Sequence, residues 1–376
     1  MFRRISCSLP KMISIVLAAL WLAGCTTATP GTATPQPTLA PSSTPLPTAT
    51  LTPTPALPVL AGTPVPLPVE PITPQNADQI QELAIWGKGL PRQVAFAISP
   101  DLTIFLPVDE IIQAWDIKTG QIIRSFERHS SEITHIALSN NGTTLASSEK
   151  WGDLSVRIWD VATDRHWKTS EEPLGGVSHL ALSPDGKRLA VSNASTIIGL
   201  YDTQTGRMLY QLLAGSDSIL RFSQNGQELA SAGWNTAFPA RKPIMIWNVE
   251  TGELLHTHTL NRGQRAGAVF SSDLTMMVDW DQEGRIWVWN IENGQVLHTL
   301  KGHTQNVLCA SFSPDNHILV SGAEDKSTRL WNVQAGSLLH TLDAFSLQVA
   351  FSPDGKFLLL GLQDGTIALW GILPDN

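Results

Sequence analysis

The sequence predicts an all-β fold, a seven-bladed β-propeller of four-stranded antiparallel blades, over residues 77–376. Two observations carry this. Seven aromatic anchors (Trp115, Trp159, Tyr201, Trp247, Trp289, Trp331 and Trp370) recur at spacings of 44, 42, 46, 42, 42 and 39 residues. Each anchor closes the same pattern: an apolar run ending near Ser-Pro-Asp-Gly, a second short apolar run, then an alternating run that ends on the aromatic. A period of about 40–45 residues with four short strands per unit marks a propeller blade. Seven such units fill the region and leave no room for a second domain.

The segments ahead of the propeller read differently. Arg3, Arg4 and Lys11 precede an apolar run from Met12 to Leu22, which is too short to span a bilayer as a helix. The run ends in Leu22-Ala23-Gly24-Cys25, with small residues just before the cysteine. Residues 1–24 resemble a bacterial lipoprotein signal peptide. The resemblance implies that Cys25 is diacylated and becomes the new N-terminus. Lipid chains contribute about 0.8 kcal/mol per buried methylene, so two chains anchor stably. The expected location is the extracytoplasmic face of a bacterial cell membrane, periplasmic or cell-surface, with the lipid as the membrane contact.

Residues 25–76 are rich in Thr and Pro and nearly free of charge. Proline lacks the N–H that ladders need, and bulky apolar residues are too few to offset ordering entropy. A disordered, polyproline-II-like tether is expected at about 3.1 Å per residue.

Within the propeller, the sixth unit shows the strand pattern most clearly. Val307–Phe312 reads as the inner strand, Asp315-Asn316 as the turn, and Ile318–Ser321 as the second strand. Ser327–Val333 reads as the third strand and Ser337–Leu342 as the fourth. Alternation along the third puts Leu330 and Trp331 on opposite faces. The pairs Asp185-Gly186 and Asp354-Gly355 are turn chemistry, since glycine takes positive φ. The last unit stops near Ile372 with only three strands. The segment Gln79–Trp86 is the expected fourth, an N-terminal strand that closes the ring and removes exposed edges.

These units resemble the WD-repeat family across residues 77–376. In that family a His, Ser/Thr, Asp and Trp form a hydrogen-bonded tetrad in each blade. The sixth unit carries His303, Ser321, Asp325 and Trp331, and the second carries His129, Ser147, Asp153 and Trp159. Other units depart: Tyr201 replaces the Trp in the third, Glu283 the Asp in the fifth, and the seventh lacks the His. The recurrence at blade spacing makes these sets structural rather than a Ser-His-Asp catalytic device. The resemblance implies binding on the faces and at the channel mouth.

Residues the repeat does not demand are the binding candidates. Trp151, Trp234 and Trp280 each fall at or just after a second strand, with Lys150 and Asp281 beside them. Phe238 sits in the longest loop of the repeat region, 233–242. Tryptophan among polar neighbours suits an interface hot spot or a glycan platform. The expected function is a membrane-anchored scaffold for an unidentified protein partner, with a glycan- or peptide-binding propeller as the alternative and an enzyme less expected. No phosphate loop, nucleophile elbow or His-Glu-x-x-His is present, and no cofactor or metal is expected. Cys309 stands alone in an inner strand and reads as a small buried residue. Without the three basic residues of the leader, 22 Lys and Arg face 33 Asp and Glu, a net charge of −11, which argues against nucleic acid as a partner.

Overall fold

A computed structural model describes residues 64–87, 95–150, 155–169, 176–234, 242–260 and 267–374. These residues form seven four-stranded antiparallel sheets. Blades 1 to 6 take consecutive strands within 97–125, 133–168, 177–213, 216–260, 267–300 and 307–342. In blade 6 the strands are Val307–Phe312, Ile318–Ala323, Thr328–Asn332 and Ser337–Leu342, close to the expected spans.

Blade 7 is composite. Its inner three strands are Ser346–Phe351, Leu358–Leu362 and Ile367–Gly371, and Gln81–Trp86 supplies the outer one. Gln81 pairs with Gly371 and Trp86 with Ile367. The ring therefore closes as the sequence predicts, with Ala77–Gln79 forming a short 3-10 turn ahead of the strand.

The core sits between the blades. Each interface has its own apolar cluster, and alternation feeds both sides of every sheet. Leu330 packs with Val349, Leu358 and Leu360 of blade 7. Its neighbour Trp331 packs with Val278, Ile286 and Val288 of blade 5. The closing interface joins Leu83 and Trp86 to Trp115 of blade 1 and Leu369 of blade 7. Trp86 also covers Gly120, where a Cβ would lie 2.7 Å from the indole Cδ1.

Outer strands latch onto the next blade in the same way. Tyr210 of blade 3 donates its hydroxyl to Glu250 O at 2.6 Å, and His298 Nε2 lies 2.9 Å from Gln334 O. The Ser-Pro-Asp-Gly turns form as expected, with Gly186 at φ 75° and Gly355 at φ 70°.

One boundary moves. Residues 64–76, expected as the end of the disordered tether, lie against the propeller. Val65 N donates to Lys118 O at 2.7 Å, and Ile72 N donates to Gly355 O at 3.0 Å. Val65 and Ile72 are buried in the clusters that flank the composite blade. An extended proline-rich segment has unpaired backbone groups and sparse apolar side chains, and both find partners on this seam. The leader, Cys25 and residues 26–63 lie outside the described residues.

Candidate ligand cavity in the central channel

The blade-6 tetrad is complete. Ser321 Oγ accepts from Trp331 Nε1 at 2.8 Å and meets His303 Nε2 at 2.8 Å. His303 Nδ1 lies 3.0 Å from Asp325 Oδ2. Burial raises the Asp325 carboxyl, but hydrogen bonds from Ser327, the Thr304 N–H and His303 outweigh it and hold the group at about 2.

In blade 2 the chain finds a different acid. His129 Nε2 meets Ser147 Oγ at 2.9 Å, and Trp159 Nε1 donates to Ser147 Oγ at 2.7 Å. The carboxylate beside His129 Nδ1 is Glu149, at 3.5 Å. Glu149 accepts from Ser130 N at 2.9 Å and from Ser130 Oγ at 2.7 Å. Asp153, expected in this set, lies outside the described residues. Sequence spacing missed Glu149 because it stands on the second strand, two residues after Ser147. Burial first, then the Arg157 charge, push His129 down to about 4 despite Glu149.

Other blades improvise. Trp247 Nε1 donates to Ser231 Oγ at 3.1 Å, Trp289 Nε1 to Asp279 Oδ1 at 2.6 Å, and Trp115 Nε1 to Gln113 Oε1 at 3.2 Å. All of these bonds are internal to a blade.

The channel is where unclaimed chemistry collects. Inner strands pair with second strands in one repeating register. His135 faces Ser148, His179 faces Ser192, Ile219 faces Ala232, Cys309 faces Gly322, and Gln348 faces Gly361. In each case the inner residue is the larger. Blade 5 reverses the order, with Gly267 facing Trp280. A Cβ on Gly267 would lie 2.7 Å from the Trp280 Cε2, so the indole fills the space that an inner-strand side chain takes elsewhere.

Trp280 thus lines a cavity of about 450 Å³ with His179, Asp217, Ile219, Cys309 and Gln348. It is 5% exposed, so it is not the open platform expected from its place near a strand end. Its Nε1 has no partner among the described residues, and neither has Gln348 Oε1. Ser178 Oγ donates to Asp217 Oδ1 at 2.6 Å on the same wall. The His135 and His179 rings lie 6.3 Å apart. Burial, with His135 nearby, pushes His179 down to about 4, so the ring lining this cavity is neutral near pH 7. Burial pushes the Cys309 thiol up to about 12, which leaves it protonated and a poor nucleophile.

The remaining candidates separate. Asp281 is buried and caps its own turn, accepting from Glu283 N and Arg285 N at 3.0 Å each and from Arg285 Nε at 2.7 Å. Its carboxylate is thus engaged within its own turn. Lys150 is exposed and paired with Glu132 at 3.1 Å. Trp234 ends a second strand opposite Ser216, two residues past the Trp280-equivalent Ala232, so the two tryptophans do not share one register position. The Trp234 side chain, Trp151 and Phe238 lie outside the described residues. Among the described residues no three His, Cys, Asp or Glu side chains converge on a metal geometry, and no helix is long and apolar enough to cross a membrane.

The family model of the WD domain, G-beta repeat, matches residues 120–160, 294–332 and 336–371. The chain carries WD40 repeats. Two of these matches cover the blades whose Ser, His and Trp interlock. A model of the anaphase-promoting complex subunit 4 WD40 domain matches residues 153–227, the region where Tyr201 replaces the anchor Trp. Comparison with the curated proteins found no match. WD40 propellers are typically non-enzymatic scaffolds, and WD40 domains generally bind protein partners.

Proposed function

We propose that this WD40 protein is a lipid-anchored, extracytoplasmic scaffold whose propeller takes a segment of a protein partner into the channel mouth. One observation carries the binding reading. The Trp280 N–H and the Gln348 carbonyl are buried, line one cavity, and have no partner among the described residues. Buried polar groups are nearly always satisfied, so such groups in a preformed pocket favour an incoming hydrogen-bonding ligand. Asp217 and Ser178 add an anionic lip. The anchoring reading is supported by Leu22-Ala23-Gly24-Cys25 and the Thr/Pro-rich stretch that follows.

The test immobilises the full chain in detergent and exposes it to an extract of the source cell envelope, beside Asp217→Ala and Gln348→Ala variants of unchanged melting temperature. A protein retained by the parent and released by both variants is the expected result. Retention that ignores the variants would displace the site. Retention of a glycan and no protein would replace the reading with carbohydrate binding. Radiolabelled palmitate should mark the parent and not Cys25→Ala; labelling of both would move the lipid from Cys25, and labelling of neither would remove the anchor.

A further inference from the structure

The channel holds a second cavity, of about 570 Å³, and one cation that the fold does not use. The register identifies it. The residue before each anchor aromatic pairs with a second-strand residue, which in turn pairs with one inner-strand position. Around the ring that position is Ala97, Ala137, Ala181, Arg221, Val269, Ser311 and Ala350. Six blades place a small side chain there. Blade 4 places an arginine.

Alternation sets where Arg221 points. Along Ser216–Phe222 the residues Ser216, Ser218, Leu220 and Phe222 are buried, while Asp217 and Arg221 are exposed. Asp217 lines the first cavity and Arg221 the second. Protein encloses Arg221 closely enough to lower its pKa, yet the lumen keeps it in reach of solvent. The guanidinium stays charged near neutral pH.

Among the described residues Arg221 is the one charged residue lining this cavity, and it has no ion-pair partner there. Nearby hydroxyls are engaged. Ser139, Ser313 and Ser352 donate to Asn141, Asp315 and Asp354 at 2.6, 2.5 and 2.5 Å. Gln224 Nε2 donates to Ser272 Oγ at 3.2 Å. The walls are mixed: Asn140 and Ser311 add polar groups, and Phe96, Phe270, Phe312 and Phe351 supply an apolar surface. A guanidinium that lines a cavity and has no counter-ion among the described residues is open to pair with an entering anion.

We propose that Arg221 and these phenylalanines form a binding site for a small carboxylate that carries an apolar body. A single guanidinium balances one charge, and its fork matches a carboxylate in two parallel hydrogen bonds. Among the described residues no second cation lines the cavity to match a phosphate dianion. The volume lies within the range of about 300–1,000 Å³ usual for small-ligand sites. The site is independent of the partner cavity, which Asp217 makes anionic.

The test is calorimetric titration of the full chain with hexanoate, for a free aliphatic acid, and N-acetyl-leucine, for a peptide C-terminus. Hexanamide, N-acetyl-leucinamide and inorganic phosphate are the controls. At least one acid should bind, the amides and phosphate should not, and Arg221→Ala should weaken binding at least about tenfold. The alanine variant is expected to fold, since other blades carry alanine at this position. Arg221→Gln, which keeps a long polar side chain, should lose binding as well. Failure of both acids, equal binding to the variants, or a preference for phosphate would each overturn the assignment.

Discussion

The inverted pair Gly267 and Trp280 can be turned back. In blade 4 the same two positions hold Ile219 and Ala232. Trp280→Ala alone removes a buried indole and leaves a cavity, a change that costs about 3–5 kcal/mol. Gly267→Ile alone drives a branched side chain into the indole, where even a Cβ would sit 2.7 Å from Cε2. Overpacking of that kind costs about 1–3 kcal/mol or more. Independent effects would sum to roughly 4–8 kcal/mol. The double variant Gly267→Ile/Trp280→Ala instead recreates the blade-4 arrangement, with the isoleucine filling what the indole vacates. It should be within about 2 kcal/mol of the parent, a coupling of at least about 2 kcal/mol. Urea denaturation of all four proteins, followed by far-ultraviolet circular dichroism, measures this. A double variant that equals the sum of the singles within about 0.5 kcal/mol would refute the size-swap account of blade 5.

Four further outcomes are expected. Deleting residues 64–86 removes the outer strand of blade 7 and the docked segment, so the whole ring should melt earlier by circular dichroism; an unchanged transition would contradict the closure. Ser321→Ala leaves Trp331 Nε1 and His303 Nε2 without their shared partner and should destabilise by about 2–4 kcal/mol in urea, whereas a loss under about 0.5 kcal/mol would show the tetrad to be idle. His129 falls to about 4 in the fold from 6.5, so the fold favours the neutral ring: its contribution is complete above about pH 6.5 and is lost as pH drops toward 4. That loss is on the order of 3 kcal/mol, His303 shifts the same way, and Asp325 adds its own loss only below 3.8, so the urea midpoint should fall steadily from pH 6.5 to 4.5; a flat profile would contradict it. Cys309, with its thiol near 12, should resist iodoacetamide at pH 8 until urea unfolds the chain, and fast native labelling would show the channel to be more open than described.

The fold was legible because a propeller repeats its constraints. One anchor aromatic every forty or so residues fixes the third strand, and the turns on either side fix its neighbours. The closing strand was legible from arithmetic, since the seventh unit lacks its fourth strand and Ile80, Leu83 and Trp86 offer one. The docking of residues 64–76 was not, because Val65 and Ile72, the two that join the apolar clusters, are too few to lift a proline-rich stretch above the composition of a tether. Trp280 was misread for a geometric reason. A position near a strand end suggests exposure, and only the pairing with Gly267 shows that the indole has turned inward over a residue without a side chain. Arg221 has no periodic signature in the sequence, since its strand is mixed and also carries Asp217 and two serines. It stands out only once register aligns it with six small residues.

These observations together separate what holds the ring from what the ring offers. Blades 3 and 7 lack a tetrad, yet their sheets pair as regularly as blade 6. Tyr201 and Leu360, in place of the usual Trp and Ser, join the same inter-blade clusters that every other interface has. Apolar packing between sheets is therefore the common requirement, and the polar sets orient the turns of particular blades. Departures from the repeat that neither pack nor cap must have another explanation. Gln348 and Arg221 are such departures; Trp280 packs in the cluster between blades 5 and 6 as well, and all three line cavities of the channel. The blade interfaces are filled and mostly satisfied, while the lumen keeps an indole N–H, an amide carbonyl and a guanidinium without partners among the described residues. On the proposed readings these channel groups are the ones that ligands would engage, at the cavity lined by Asp217 for one and at the cavity lined by Arg221 for the other.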